Sequence, residues 1–212
     1  MIYTLAKFFS KVFFRFWGTP RIVGLENIPN SGPIIVVANH RSVLDGFLLA
    51  SIWPQRITFL AAAYLFELPV VRVFLRAIGA IPVQSGRDNH AGKKAALEVL
   101  QRGDILALFP EGRVYQLDTL GPFNLGWAHF ALNSGASVVP VAIKGTNSML
   151  PKGTVFPRRT KIYVQIDVPW TMEKTLSPQQ ETLLAMNTRL FEQMEKIMSA
   201  PTIVEEVVEN GA

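Results

Sequence analysis

The sequence predicts an α/β fold: one domain built on a mixed or mostly parallel sheet flanked by helices, with an N-terminal amphipathic helix for a membrane surface. Three observations predict it. Apolar runs recur at 34–38, 57–61, 80–83, 105–109, 138–143 and 162–166. Helical patterns near 43–52, 64–77, 90–101, 124–134 and 178–199 lie between or after them, the alternation expected of a layered α/β domain. Several of the apolar runs are unbroken rather than alternating, as in strands covered on both faces.

The size supports one core. A chain of 212 residues buries a substantial interior without needing a second domain. Apolar residues make up 49% and charged residues 17%, which argues against extended disorder and for contact with something greasy. The chain has no cysteine, so disulfides, thiolate metal sites and a cysteine nucleophile are excluded. A reducing compartment is permitted.

In chain order, residues 1–17 come first. Ile2, Leu5, Phe8, Phe9, Val12, Phe13, Phe16 and Trp17 surround Lys7, Lys11 and Arg15. The three cations are spaced four apart and share one helix face. Such a helix suits the headgroup region of an anionic membrane; the alternative is an amphipathic helix docked on the protein's own core. Cations interrupt the apolar stretch, against a signal peptide.

After the run at 34–38 comes Asn39-His40-Arg41-Ser42-Val43-Leu44-Asp45-Gly46. Ser42 and Asp45 have capping-box spacing, which makes Ser42 the cap of the next helix and places Asp45 in its first turn. With His40 still in the loop, its imidazole can fold back onto the Asp45 carboxylate, which would fix the tautomer and stabilise the imidazolium. The alternative is a capping acid beside a surface histidine. Ser42, committed to a cap, is a poor nucleophile.

Farther on, the run at 105–109 ends in Pro110-Glu111-Gly112-Arg113, a charged turn where α/β sheets open onto ligand crevices. Gly112 permits a tight path and Arg113 offers forked donors for phosphate; a surface turn with an ion pair is the plainer reading. His90 and His129 lack ligand-like partners, so both read as structural or surface residues and no metal site is expected. Residues 119–143 carry no charge, yet Gly121, Pro122, Gly126, Gly135 and Pro140 break any single membrane span. Between 144 and 161 stand Lys144, Lys152, Arg158, Arg159 and Lys161 without an acid. That stretch suits phosphates or is a solvated loop; no nucleic-acid motif accompanies it. The last helix has Ser177 as cap, Pro178 at its first position and Gln180 completing the box, with Leu183, Leu184, Leu190, Met194 and Ile197 facing the core. Residues 201–212 form an acidic tail expected to fray.

Together, NHRSVLD, GAIPV, LFPEGR, GPFNLGWAHFAL and VVPVAIKGT, in this order and spacing, resemble the glycerophospholipid acyltransferase family typified by lysophosphatidic acid acyltransferase, over residues 20–170. The resemblance divides the chain into an interfacial helix at 1–17, an acyltransferase domain at 18–200 and the tail. It implies His40 as the general base that deprotonates the acceptor hydroxyl and Asp45 as its orienting partner. It implies substrate binding by Glu111 and Gly112. The usual phosphate-binding arginine falls on Ser85, with Arg87 as its shifted replacement, and Arg113 occupies a position where a threonine is common. Val139-Pro140-Val141 resembles a pocket-lining segment and reads equally as core strand.

The implied reaction moves a fatty acyl group from an acyl-CoA or acyl carrier protein thioester to 1-acyl-sn-glycerol 3-phosphate, giving phosphatidic acid, with no cofactor or metal. The implied location is the cytoplasmic face of a membrane, peripheral or monotopic. Another lysophospholipid or hydroxylated acyl lipid as acceptor, a lipid or thioester hydrolase, and a noncatalytic lipid-binding protein are the alternatives.

Overall fold

The structure, a computed structural model, describes residues 2–84, 90–115, 117, 119–151 and 153–200. Seven strands form the sheet: β1 (Arg21–Val23), β2 (Ile34–Ala38), β3 (Ile57–Ala62), β4 (Ile81–Val83), β5 (Ile105–Leu108), β6 (Ser137–Lys144) and β7 (Tyr163–Ile166). Their spatial order is β1-β7-β6-β2-β5-β3-β4. Every pairing is parallel except β6 with β7.

That one antiparallel pair has a geometric consequence. Lys144, which ends β6, pairs with Tyr163, which begins β7, and Tyr163 pairs with Arg21, which begins β1. The starts of β1 and β7 therefore lie at the same end of the sheet as the finish of β2.

Helices cover both faces. On one lie α1 (Ile2–Trp17), α2 (Asp45–Ile52) and α3 (Pro69–Ala77), packed on Ile34, Val36 and Ala38 of β2. On the other lie α4 (His90–Gln101), α5 (Gly126–Ser134) and α7 (Gln180–Ser199), packed on Ile35 and Val37. Successive β2 residues point to opposite layers and all are buried, because a side-chain period of two feeds two apolar layers in turn. A short helix, α6 (Thr146–Met149), follows β6.

Several local expectations need correction. α2 begins at Asp45, and Ser42 does not cap it: among the described residues the Ser42 hydroxyl accepts only from the Leu44 amide, at 3.3 Å, while the Asp45 carboxylate accepts from the Ser42 amide at 2.8 Å. Only the acid half of the box forms, since the chain turns once more before the helix starts. α7 begins at Gln180 without a side-chain cap, so Ser177 and Pro178 belong to the preceding loop. Leu184 is exposed and Met186 takes its place in the buried stripe, because Leu183, Met186, Leu190, Met194 and Ile197 recur at the three- and four-residue spacing of one helix face and Leu184 lies off it. β1 and α6 were not foreseen; each is too short to carry a periodic signal. The tail at 201–212 lies outside the described residues.

α1 carries two apolar faces, one packed on the protein's own core and one exposed. Phe14 is buried, with Tyr3, Ala6 and Phe13 packed on the same cluster. About a third of a turn away, Ile2, Leu5, Phe9 and Phe16 form a second apolar face that is exposed. Lys11 and Arg15 are exposed beside it; Lys7 instead donates to the carbonyls of Trp53 and Pro54, which anchors α1 to the end of α2.

Candidate active site

The site is built at the carboxyl end of β2, the middle strand of the sheet, where ligands bind in open α/β sheets. Asn39 follows the last residue of the strand. Its side-chain amide donates to the Ile143 carbonyl at 2.9 Å and its oxygen accepts from the Ile143 amide at 2.7 Å. A side chain thus continues the ladder toward β6, and the β2 backbone is free to turn away at His40.

His40 and Asp45 meet. The Nδ1–H of His40 donates to Asp45 Oδ2 at 3.0 Å, and the carboxylate is completely buried. The same oxygen accepts from the amides of Arg41 at 2.6 Å and Ser42 at 2.8 Å. Its twin, Oδ1, accepts from the Thr146 hydroxyl at 2.6 Å. A carboxylate so surrounded by donors is fixed in place. With Nδ1 occupied, Nε2 is the nitrogen left with a lone pair for a substrate proton. The ring lies flat on Phe109, centroids 3.9 Å apart and planes 8° apart, which holds its orientation from the side.

The turn after β5 closes the site from the other strand. Gly112 sits at φ 69°, a left-handed conformation that costs a residue with a Cβ. Asn124 donates through its backbone and its side chain to the Pro110 carbonyl, at 2.8 and 2.9 Å, and so fastens the turn to the approach of α5. Glu111 is buried, which the surface ion-pair reading did not anticipate, and neither of its carboxylate oxygens has a hydrogen-bond partner among the described residues. Burial pushes its carboxyl above the usual value; the Arg41 guanidinium, the His40 amide, any charge on His40 and the Gly121 amide pull the other way.

Arg41 is itself buried and donates through Nη1 to the carbonyls of Tyr115, Leu117 and Thr119. The Tyr115 amide in turn donates to the His40 carbonyl at 2.7 Å. The segment after Arg113 is thus strapped to the histidine loop. Arg113 is exposed, with its guanidinium over the Tyr115 ring and donating to the Tyr115 hydroxyl at 2.6 Å. Arg87 lies outside the described residues. His90 and His129 are exposed on α4 and α5, and the described residues contain no cluster of metal-ligating side chains.

Four participants escaped the sequence reading: Asn39, Arg41, Phe109 and Thr146. Each sits inside a quoted motif, but its role depends on partners that are strangers in sequence. Thr146 is 101 positions from Asp45 and Asn39 is 104 from Ile143, so no local pattern announces either pairing.

Fold and site together define a mostly parallel α/β domain with an imidazole–carboxylate pair where its central strand ends. The chain belongs to the Acyltransferase family, whose model matches residues 19–144. It is similar to a chloroplastic 1-acyl-sn-glycerol-3-phosphate acyltransferase of Brassica napus, 33% identical over 136 residues, which cover 63% of this chain and 39% of the relative. A 1-acyl-sn-glycerol-3-phosphate acyltransferase of Borreliella burgdorferi is 28% identical over 147 residues, 68% of this chain and 59% of that one. The chain thus spans well under two thirds of either relative. Among solved structures, the 1-acyl-sn-glycerophosphate (LPA) acyltransferase of Thermotoga maritima superimposes with a TM-score of 0.75 at 26% identity, covering 94% of this chain and 81% of that one.

Proposed function

We propose that this chain transfers a fatty acyl group from a thioester to the free hydroxyl of 1-acyl-sn-glycerol 3-phosphate, giving phosphatidic acid. The observation that carries the reading is the His40–Asp45 contact of 3.0 Å with the carboxylate wholly buried. The names of the relatives, several of them 1-acyl-sn-glycerol-3-phosphate acyltransferases, support the choice of acceptor. His40 Nε2 takes the acceptor's hydroxyl proton as its oxygen attacks the acyl carbonyl carbon. Negative charge collects on the carbonyl oxygen, the carbon–sulfur bond breaks, and the imidazolium returns its proton to the departing thiolate. Asp45 holds the proton-bearing Nδ1 and offsets the positive charge on the ring. The donor is an acyl-CoA or acyl carrier protein thioester, and no cofactor takes part. Arg87 and Arg113 serve the acceptor phosphate, and the Glu111-Gly112 turn shapes that side of the pocket.

The lipid substrate is met at a bilayer. No helix among the described residues is long and apolar enough to cross a membrane. The exposed apolar face of α1, with Lys11 and Arg15 beside it, suits one leaflet, and because thioester donors are cytosolic that leaflet is the cytoplasmic one.

The test is a purified chain given labelled thioester and a panel of acceptors. His40→Ala lowers turnover on the phosphomonoester acceptor by about 10²–10⁴-fold with unchanged circular dichroism, the usual contribution of a positioned base. Unchanged turnover refutes the mechanism; activity only on acceptors lacking a phosphomonoester refutes the substrate. Rapid fatty acid release without acceptor marks a hydrolase instead.

A further inference from the structure

The structure holds a basic cleft to which the proposed acyl-transfer mechanism assigns no role. It has a volume of about 610 Å³ and lies between the end of α1, the start of β1 and the segment entering β7. Four cations line it, Arg15, Arg21, Arg159 and Lys161, and no acid does. None of the four is in an ion pair among the described residues. Its walls are tied together through the backbone: the Thr160 amide donates to the Trp17 carbonyl at 3.2 Å and the Arg21 amide to the Ile162 carbonyl at 2.9 Å. Gly18 makes the close approach possible, since a Cβ there would sit 2.3 Å from Met149 Cε and 2.7 Å from Ile162 Cδ1.

Its position matters as much as its charge. Because β7 runs against β6, the cleft opens at the same end of the sheet as His40. β7 and β1 are the second and third strands from β2, about 10 and 14 Å away at ordinary strand spacing. Arg113 follows β5, on the other side of β2. The cleft is therefore not the place proposed for the acceptor's phosphate. Phe16, 62% exposed, lines it and continues the outer apolar face of Leu5 and Phe9.

We propose that this cleft binds the phosphate of an anionic membrane phospholipid, a second lipid site that seats the enzyme on the bilayer beside its catalytic end. Unpaired cations bordered by exposed aromatic surface match a molecule that carries a phosphate next to acyl chains. A soluble phosphate compound would use the cations and leave the apolar border idle. The inference rests on the membrane reading of α1 and is independent of the acyl-transfer reading.

The test uses the whole chain and measures binding to phosphatidylcholine vesicles with and without phosphatidylglycerol. Arg159→Ala with Lys161→Ala weakens binding to the anionic vesicles about 25-fold, at about 5-fold for each cation near a charged surface. Binding to neutral vesicles, which relies on the apolar face of α1, stays the same. A charge-matched control, Lys93→Ala with Lys94→Ala on α4 of the opposite layer, changes anionic binding less than about 3-fold. Equal losses in the two double variants overturn the cleft assignment, because the attraction is then diffuse charge. Wild-type affinity for the anionic vesicles in the Arg159/Lys161 variant overturns it also, and so does a weakened affinity for free adenosine diphosphate, measured alongside, as the only effect of the substitutions. If the unaltered chain binds both kinds of vesicle equally, the cleft assignment alone fails; if it binds neither, the membrane reading of α1 fails with it.

Discussion

Replacing Thr146 by valine removes one hydrogen bond and almost no volume, which makes it a clean probe of how the site holds its aspartate. Thr146 is completely buried and donates to Asp45 Oδ1 at 2.6 Å. No other donor to that oxygen is present among the described residues, whereas Oδ2 accepts three. Valine therefore strands half of a carboxylate that has no access to water. A hydrogen bond to a charged group contributes about 1.5–3 kcal/mol. A domain of this size melts about 2–4 °C lower per kcal/mol, so a fall of about 3–12 °C is expected by differential scanning calorimetry. In the proposed mechanism Asp45 acts only through His40, so turnover should drop about 10-fold, less than for loss of the base itself. Thr146→Ser keeps the hydroxyl and restores turnover, while the lost methyl costs about 1 kcal/mol of stability. A valine variant that melts and turns over like the wild type would sink the argument, and so would a serine variant as slow as valine.

Glu111→Gln tests the buried acid. Its carboxyl is raised by burial, so the folded chain holds that proton longer than the unfolded chain, and stability falls as pH rises from the ordinary carboxyl value through the raised one. The Gln variant should match the wild type under acidic conditions and exceed it at neutral pH in urea denaturation; a constant difference across pH would refute this. Gly112→Ala forces a Cβ into a φ of 69° and to 3.0 Å from Asn124 Nδ2, which should cost about 1–2 kcal/mol of stability and raise KM as the Pro110 fastening loosens; an unchanged KM would show that the turn does not shape the pocket. Leu5→Glu with Phe9→Glu alters side chains that are 55% and 61% exposed, so stability should move by no more than about 0.5 kcal/mol. Sedimentation with neutral vesicles should nevertheless weaken more than about 10-fold, since each side chain contributes about 1.5–3 kcal/mol when buried in lipid. Undiminished sedimentation would place the membrane contact elsewhere.

What could be read in the chain follows the range of the interaction. The unbroken runs at β2, β5 and β6 announced covered strands because double-sided burial writes itself into consecutive residues. The His40–Asp45 pair was visible because its members are five apart and a loop entering a helix brings them together. Capping was misjudged at Ser42 and Ser177, since one added turn of backbone moves a helix start by more than a cap can tolerate. The buried state of Glu111 was hidden as well: a charged turn looks solvated until Arg41, the His40 loop and the segment at Gly121 gather around it.

Composition and periodicity therefore determined the layered α/β fold and the aromatic and cationic faces of α1, and short spacing announced the His40–Asp45 contact, because each is encoded within a few residues; the catalytic role of that pair came from the family resemblance and not from spacing. Only the tertiary structure decided that Thr146, just after β6, completes the site and that Asn39, just after β2, pairs with β6, that α1 divides its apolar residues between core and surroundings, and that four cations scattered between positions 15 and 161 meet in one cleft. Those outcomes depend on which strands lie side by side and in which direction they run, and the chain settles that only when its two apolar layers close on the sheet together.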